Sequence, residues 1–228
     1  MSEQILPFYL VCDESYSMAG NPLQEINDQL PQIVTEIASN PTVADKARLC
    51  IISFSDTAEV LLPLADLNDV HQVPQLAPKG ATSYGAAFTL LRDTIERDIR
   101  DLKAAGHVPF RPTVFFLTDG QPTDSDWATA HQRLTAKDFG PRPTILAFGF
   151  GDVRPETLRA VATFRAFIAN GELDPRNALR EFAKQLLNSV VSSAVASSAA
   201  FSANPNAGAQ MVFPDQVKGY TVLEADRV

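Results

Sequence analysis

Three short polar segments of the chain carry oxygen atoms that could hold a divalent cation. In the first segment, Asp13, Ser15 and Ser17 alternate with other residues directly after an apolar run. The second segment contains Thr82, and the third contains Asp119 directly after another apolar run. Residues spaced by two lie on one side of an extended turn, so the first three side chains can converge on one point.

The ligand types indicate which chemistry such a site would support. Carboxylate and hydroxyl oxygens are hard ligands, and Mg²⁺ prefers six oxygens that usually include waters or a ligand from outside the protein. Because hydroxyls are weak ligands, the bound metal would remain electrophilic, and an incoming carboxylate would be a natural sixth ligand. A structural interpretation is also open, in which Asp13 and Asp119 cap helices and the hydroxyls satisfy the backbone of turns.

Short apolar runs alternate along the chain with longer segments of helical period. Buried strands are predicted at 8–12, 49–54, 114–117, 145–148 and 164–168, and a turn at 55–57 predicts a hairpin partner at 58–64. Helices are predicted over 21–37, 83–106 and 124–136, from 155, and over 174–191. Within the first helix, Pro31 should cause a kink or a break. Asp124 and Asp126 are predicted to cap the helix that they open.

This alternation predicts a three-layer, doubly wound α/β fold. The central sheet would be mostly parallel, with one antiparallel edge strand and with helices on both faces. Ligands of such sheets bind at the carboxyl ends of the strands. Two of the polar segments follow predicted strands and the third precedes the long helix, so we expect all three at that edge.

The length predicts one domain with an appendage. Residues 1–195 of the 228 are predicted to form the α/β domain. Residues 196–228 are predicted to be a linker rich in Ser and Ala, followed by a short C-terminal tail. The tail carries a short apolar pattern that could dock as an extra strand.

Composition excludes several classes of protein. The chain has 19 Lys and Arg against 27 Asp and Glu, for a net charge of −8, which argues against nucleic-acid binding. Residues 1–15 lack the basic start of a signal peptide, and polar residues interrupt the apolar stretch at 186–201, so neither export nor membrane binding is expected. We therefore expect a cytoplasmic protein in which Cys12 and Cys50 are reduced and buried.

Together, Asp13-x-Ser15-x-Ser17, Thr82 and Asp119 resemble the metal-ion-dependent adhesion site (MIDAS) of von Willebrand factor A (vWA) domains. The resemblance covers roughly residues 5–190 and is greatest to bacterial TerY-like proteins of tellurium-resistance and stress operons. It implies that Ser15, Ser17 and Thr82 bind the metal through their hydroxyls. It also implies that Asp13 and Asp119 bind directly or through water, and that a partner's Asp or Glu takes the open position.

The implied function is a non-enzymatic protein-interaction module that depends on Mg²⁺, or alternatively on Mn²⁺ or Ca²⁺. Its partner would be a protein that offers Asp or Glu to the metal, such as a kinase-like or phosphatase protein of the same operon. The residues predicted to shape partner binding are Glu14, Tyr16, Tyr84 and Trp127. The family usually has Gly where Tyr16 stands, so this tyrosine could narrow access to the metal or contact the partner. Trp127 fits equally well with packing of its helix onto the sheet, and Glu14 fits better with a solvated loop acid.

Two other functions fit the same residues. Asp13 could be the phosphoryl-accepting nucleophile of a Mg²⁺-dependent phosphatase similar to the haloacid-dehalogenase-like enzymes, although Ser15 stands where that family has a second Asp. Alternatively, the chain could be an autoinhibited regulatory vWA domain. In that case the tail would supply Asp215 or Glu224 to its own metal.

Overall fold

The computed structural model describes residues 3–203 and 212–225. The strands are β1 (Gln4–Asp13), β2 (Ala47–Phe54), β3 (Ala58–Asp66), β4 (Val108–Pro109), β5 (Thr113–Thr118), β6 (Thr144–Gly149), β7 (Arg165–Ala169) and β8 (Tyr220–Glu224). The helices are α1 (Asn21–Ala38), α2 (Pro41–Ala44), α3 (Tyr84–Ala104), α4 (Trp127–Thr135), α5 (Pro155–Val161) and α6 (Pro175–Ala203). Short 3₁₀ turns lie at Tyr16–Met18 and Leu67–Asp69.

The strands form one mixed sheet in the order β3-β2-β1-β5-β6-β7-β8, and the two-residue β4 pairs with the start of β1. The five central strands, β2, β1, β5, β6 and β7, are parallel to one another. At one edge β3 is antiparallel to β2, which confirms the predicted fold class with its antiparallel edge strand. At the other edge β8 is antiparallel to β7, so the apolar pattern of the tail does dock as an extra strand.

Side chains of β1 alternate between two apolar cores, one on each face of the sheet. The first core includes α1 and α6, and the β1 residues that enter it are Leu6, Phe8, Leu10 and Cys12. The second core includes α3, α4 and α5, and the β1 residues that enter it are Tyr9 and Val11. Because both faces are covered, the parallel strands read as continuous apolar runs. Cys12 and Cys50 are buried free thiols, as predicted.

Helix α1 is not interrupted at Pro31, which lies within it. Proline removes one backbone hydrogen bond and crowds the preceding turn. Here the residues on either side of the proline, Leu30, Ile33 and Val34, are buried in the first core. Packing of this apolar face offsets the local cost, so the helix continues to Ala38.

Helix α6 extends further than the sequence suggested, because residues 196–203 are helical and not part of a linker. Its buried face includes Ser189, Ser193 and Ser197, which recur every four residues. Ser193 Oγ accepts a hydrogen bond from the backbone N–H of Val212 at 2.9 Å. A helical face built from small polar residues gives little hydropathy signal, which explains the error. The rest of the predicted linker, 204–211, lies outside the described residues.

The structure also bears on the predicted boundary at residue 195. Residues 212–225 return to the sheet through β8 and so belong to the same folded unit as β7. Within 3–203 and 212–225, no helix is both long enough and apolar enough to cross a membrane.

Candidate metal centre

The predicted ligands lie where β1 and β5 end. These strands are parallel neighbours, with Cys12 in register with Leu117, so the residues that follow are brought side by side. Asp13 is the last residue of β1, and Asp119 directly follows β5. The hydroxyl of Thr118 donates a hydrogen bond to Asp13 Oδ2 at 2.7 Å, which ties the two strand ends together.

A chain of hydrogen bonds connects four of the five predicted ligands. The backbone N–H of Ser15 donates to Asp13 Oδ1 at 2.9 Å. Ser17 Oγ donates to Asp119 Oδ1 at 2.6 Å and lies 2.9 Å from Ser15 Oγ. Since Ser17 has one hydroxyl proton and gives it to the carboxylate, Ser15 is the donor in the Ser15–Ser17 bond. The turn after β1 therefore directs its hydroxyl oxygens towards Asp119.

The fifth predicted ligand, Thr82, faces the same space. A Cβ atom built on Gly120 would lie 3.8 Å from both Ser17 Oγ and Thr82 Oγ1, so the two hydroxyls flank this glycine. Any side chain at Gly120 would enter the space between them. The carbonyl of Thr82 accepts hydrogen bonds from the N–H (2.8 Å) and the hydroxyl (3.1 Å) of Thr123, which fix the threonine beside the loop after β5.

The start of α3 is fixed by Asp124, in a way that the sequence did not reveal. Asp124 Oδ1 accepts from the N–H of Tyr84 at 2.9 Å, and Oδ2 accepts from the N–H of Gly85 at 2.7 Å. A Cβ on Gly85 would overlap the Asp124 carboxylate, so a side chain there would displace Asp124 from these bonds. The prediction that Asp124 caps α4 is wrong, and Asp126, the N-cap of α4, makes no side-chain capping bond.

A second contact holds the loop that carries Thr82. The Lys79 ammonium lies 2.8 Å from Glu14 Oε1 and also pairs with Glu59, and these hydrogen bonds raise the pKa of Lys79. The N–H of Lys79 donates to the carbonyl of Glu14 at 2.8 Å. Glu14 is only 2% exposed, so the prediction that it contacts a partner is wrong in this structure.

The site has an unbalanced negative charge. Asp13 is fully buried and Asp119 is 8% exposed, and neither forms an ion pair with Lys, Arg or His among the described residues. Burial raises the pKa of Asp13 to about 6 and also raises the pKa of Asp119, because an ionised carboxylate loses solvation in the protein interior. A bound cation would restore that lost stabilisation.

The donor set therefore fits a hard divalent cation. Two carboxylates and three hydroxyl-bearing residues meet at one edge of the sheet, and only oxygen ligands are on offer. In the described part of the chain, no group of three or more His, Cys, Asp and Glu could hold a metal. A metal at this edge would consequently depend on the hydroxyl oxygens of Ser15, Ser17 and Thr82.

The remaining partner-contact predictions divide between the surface and the interior. Tyr16 is 68% exposed and directly follows Ser15, so its contact with a partner stays a prediction. Tyr84 is fully buried, and its hydroxyl donates to the carbonyl of Gly120 at 2.8 Å, so the prediction that it contacts a partner is wrong. Trp127 is partly buried, with its ring edge-to-face against Tyr84 at 5.9 Å, which favours the packing alternative.

The autoinhibition hypothesis is also contradicted. Asp215 pairs with Arg165 at 2.6 Å, and Glu224 lies 3.9 Å from the same guanidinium group. Arg165 is the first residue of β7, whereas the candidate metal centre lies at the carboxyl ends of the parallel strands. Neither acid is near the predicted ligands.

The parallel sheet and the hydroxyl-rich centre at its carboxyl edge define a doubly wound α/β protein with a candidate metal site. The sequence profile of the von Willebrand factor type A domain matches residues 8–192. The chain belongs to this family. Comparison with curated proteins gave no significant match.

Solved structures share the fold at low sequence identity. A von Willebrand factor type A protein from Catenulispora acidiphila is 18% identical, with a TM-score of 0.59 over 83% of this chain and 43% of that chain. VWA2, an ArnB paralog from Sulfolobus acidocaldarius, is 16% identical, with a TM-score of 0.55 over 83% and 46%. Proximal thread matrix protein 1 from the mussel byssus, with a zinc-occupied MIDAS motif, is 18% identical, with a TM-score of 0.57 over 83% and 48%. The chain thus spans about half the length of these proteins.

Proposed function

We propose that this protein is a protein-interaction module that depends on a divalent metal. The observation that carries the proposal is the pair of buried carboxylates, Asp13 and Asp119, which have no cation partner among the described residues and share hydrogen bonds with serine hydroxyls. Such a pair is costly to bury unless a cation compensates its charge. The zinc-occupied MIDAS motif in the mussel protein of the same fold supports a divalent cation here.

In this proposal, Ser15, Ser17 and Thr82 hold the metal through their hydroxyl oxygens. Asp13 and Asp119 hold it directly or through water and orient the hydroxyls. Mg²⁺ is the proposed resident ion, with Mn²⁺ or Ca²⁺ as alternatives, because all the donors are hard oxygens. When bound, the metal supplies positive charge and an open coordination position, to which a carboxylate of the partner binds.

We further propose that the module is not an enzyme. Asp13 Oδ1 accepts the Ser15 N–H and Oδ2 accepts the Thr118 hydroxyl, so the carboxylate is oriented by the same turn that carries the hydroxyl ligands. A phosphatase mechanism would also need a general acid, and Ser15 cannot serve as one. Phosphate esters should therefore not be hydrolysed in the presence of Mg²⁺. Turnover that Asp13→Asn abolishes would overturn this proposal.

The narrower proposal places the protein in the cytoplasm, in a bacterial tellurite-resistance or stress-response system. It rests on the resemblance to TerY-like proteins, and its partner would be a kinase-like or phosphatase protein of the same operon. Affinity capture with and without EDTA, followed by identification of the bound proteins, tests this idea. The expected partner binds only when the metal is present, and binding that EDTA leaves unchanged contradicts the proposal.

Calorimetric titration with Mg²⁺ and Mn²⁺ tests the metal site itself. The wild-type protein should show one binding site, and Asp119→Ala should abolish it. Asp126→Ala is the matched control, because it removes the same charge from the same edge without touching the hydrogen-bonded centre. If the wild-type protein bound no metal even with a carboxylate ligand present, the proposed function would be wrong.

A further inference from the structure

A small cavity opens at the edge of the sheet opposite the candidate metal centre. It has a volume of about 280 Å³ and lies where β5, β6 and β7 begin. We call it the basic cavity, and the lining residues that matter here are Arg111, Thr135, Lys137, Arg142, Thr144 and Thr163. Small-molecule sites usually begin at roughly 300 Å³, so this cavity suits a small ligand or a single chemical group.

All the charged side chains that line the basic cavity are cationic. Arg111, Lys137 and Arg142 form no ion pair with a carboxylate within residues 3–203 and 212–225. An adjoining cavity shares Arg111, adds Lys103 and is also lined by no acid. The chain as a whole has a net charge of −8, so the local charge at this cavity is opposite in sign to that of the whole chain. Such a concentration of positive charge attracts an anion.

The polar groups beside these cations add hydrogen-bond donors. Thr163 Oγ1 accepts the N–H of Ile145 at 2.8 Å, which leaves its hydroxyl proton available to a ligand. Thr144 also lines the cavity. Two guanidinium groups can each bind two oxygens of a phosphate, and a lysine can bind a third oxygen as a point charge. A single carboxylate would carry too little charge for three cations, whereas a phosphate monoester carries about −1.5 to −2 at neutral pH.

We propose that the basic cavity binds a phosphate monoester dianion through Arg111, Lys137 and Arg142. The phosphate could come from a free phosphate compound or from a phosphorylated side chain of another protein, since the recognition chemistry is the same. This site lies at the amino ends of the strands, so it is separate from the metal centre and does not depend on the proposed function.

Calorimetric titration of the full chain in EDTA tests this proposal, because EDTA prevents phosphate from binding through a metal. Phenyl phosphate should bind at one site, and Arg111→Gln/Arg142→Gln should weaken binding by about tenfold or more, since each change removes charge-assisted hydrogen bonds. The matched control is Arg100→Gln/Lys218→Gln, which makes the same change in net charge elsewhere on the surface. Absence of binding to the wild type, or equal loss in both variants, would overturn the proposal.

Nuclear magnetic resonance gives a second readout that does not depend on the size of the affinity change. Phenyl phosphate should shift the amide signals of Thr144, Thr163 and neighbouring residues and leave the residues around Asp13 unchanged. Shifts confined to the carboxyl edge would contradict the assignment. The same spectra of the variants show whether they are folded.

Two further titrations identify the source of the phosphate. A phosphoserine peptide that binds more tightly than phenyl phosphate, while its unphosphorylated form does not bind, supports a phosphorylated protein. Equal affinity for the peptide and for phenyl phosphate supports a free phosphate compound. The second titration uses oligothymidylate, which carries phosphodiesters in place of a monoester. If oligothymidylate bound with a steep salt dependence and the monoesters did not bind, the monoester assignment would be wrong.

Discussion

Asp124→Ala is the substitution that best separates the structure from the sequence-based expectation. The sequence suggested that Asp124 and Asp126 both cap α4, so removal of either carboxylate would have similar, small effects. In the structure, Asp124 accepts hydrogen bonds from the N–H groups of Tyr84 and Gly85 at the start of α3, and Asp126 makes no side-chain capping bond. The two alanine variants should therefore differ.

The magnitude follows from these two bonds. A hydrogen bond to a charged group contributes about 1.5–3 kcal/mol, and loss of a capping residue usually costs about 0.5–2 kcal/mol. Asp124 is half-buried, so water replaces part of what is lost, and Ser83 still caps Ala86 at 3.2 Å. We expect Asp124→Ala to lower the free energy of unfolding by about 2–3 kcal/mol, which corresponds to a fall in Tm of roughly 5–10 °C for a chain of this size.

Urea denaturation of Asp124→Ala, Asp124→Asn and Asp126→Ala measures the difference. Asparagine keeps one acceptor, so its loss should be about half that of alanine. Asp126→Ala should change the free energy of unfolding by less than about 0.5 kcal/mol, as for an ordinary surface substitution. Because Thr82 lies two residues before α3, Asp124→Ala should also weaken Mg²⁺ binding. Equal stability of the two alanine variants would refute the assignment of Asp124 to α3.

Two further predictions concern buried ionisable groups. Burial lowers the pKa of His131 below its usual 6.5, so acidification below that value protonates the unfolded chain first and destabilises the fold. From pH 7 to pH 5, the free energy of unfolding should fall more steeply in the wild type than in His131→Gln. The difference in slope should be up to about 1.4 kcal/mol per pH unit. Urea titrations at several pH values measure both slopes, and equal slopes would contradict the prediction. Glu25 is 1% exposed and pairs with Arg176 at 3.1 Å and Arg180 at 2.6 Å. Because both arginines are partly exposed, Glu25→Gln should lower the free energy of unfolding by only about 1–2 kcal/mol. Substitution of the exposed Glu36 by Gln should leave it almost unchanged. Similar unfolding midpoints for the two variants would count against the prediction.

The sheet and the candidate ligands could be predicted because their signals are local. Parallel strands with both faces covered must be apolar throughout, and such runs are visible in the sequence. The ligands follow from the same strands, since residues that leave β1 and β5 emerge at one edge. The spacing of Asp13, Ser15 and Ser17 then places their oxygens together without knowledge of the rest of the chain.

The supports of the centre could not be predicted because they join residues far apart in the chain. The contact of Asp124 with Gly85 and that of Lys79 with Glu14 depend on how loops pack against each other. Asp124 lies three residues before α4, so capping of its own helix was the obvious local choice. Glu14 had all the sequence features of a solvated loop acid, and only the tertiary structure shows that Lys79 covers it.

The C-terminal strand changes which strand forms the edge of the sheet. The family profile ends at residue 192, yet β8 covers the backbone edge of β7, and Tyr220 packs edge-to-face on Phe148 at 5.9 Å. A fragment that ended at the family boundary would present β7 as an open template for pairing with other chains. The segment beyond the family boundary therefore pairs the backbone groups of β7 and makes β8 the edge strand of the sheet in its place.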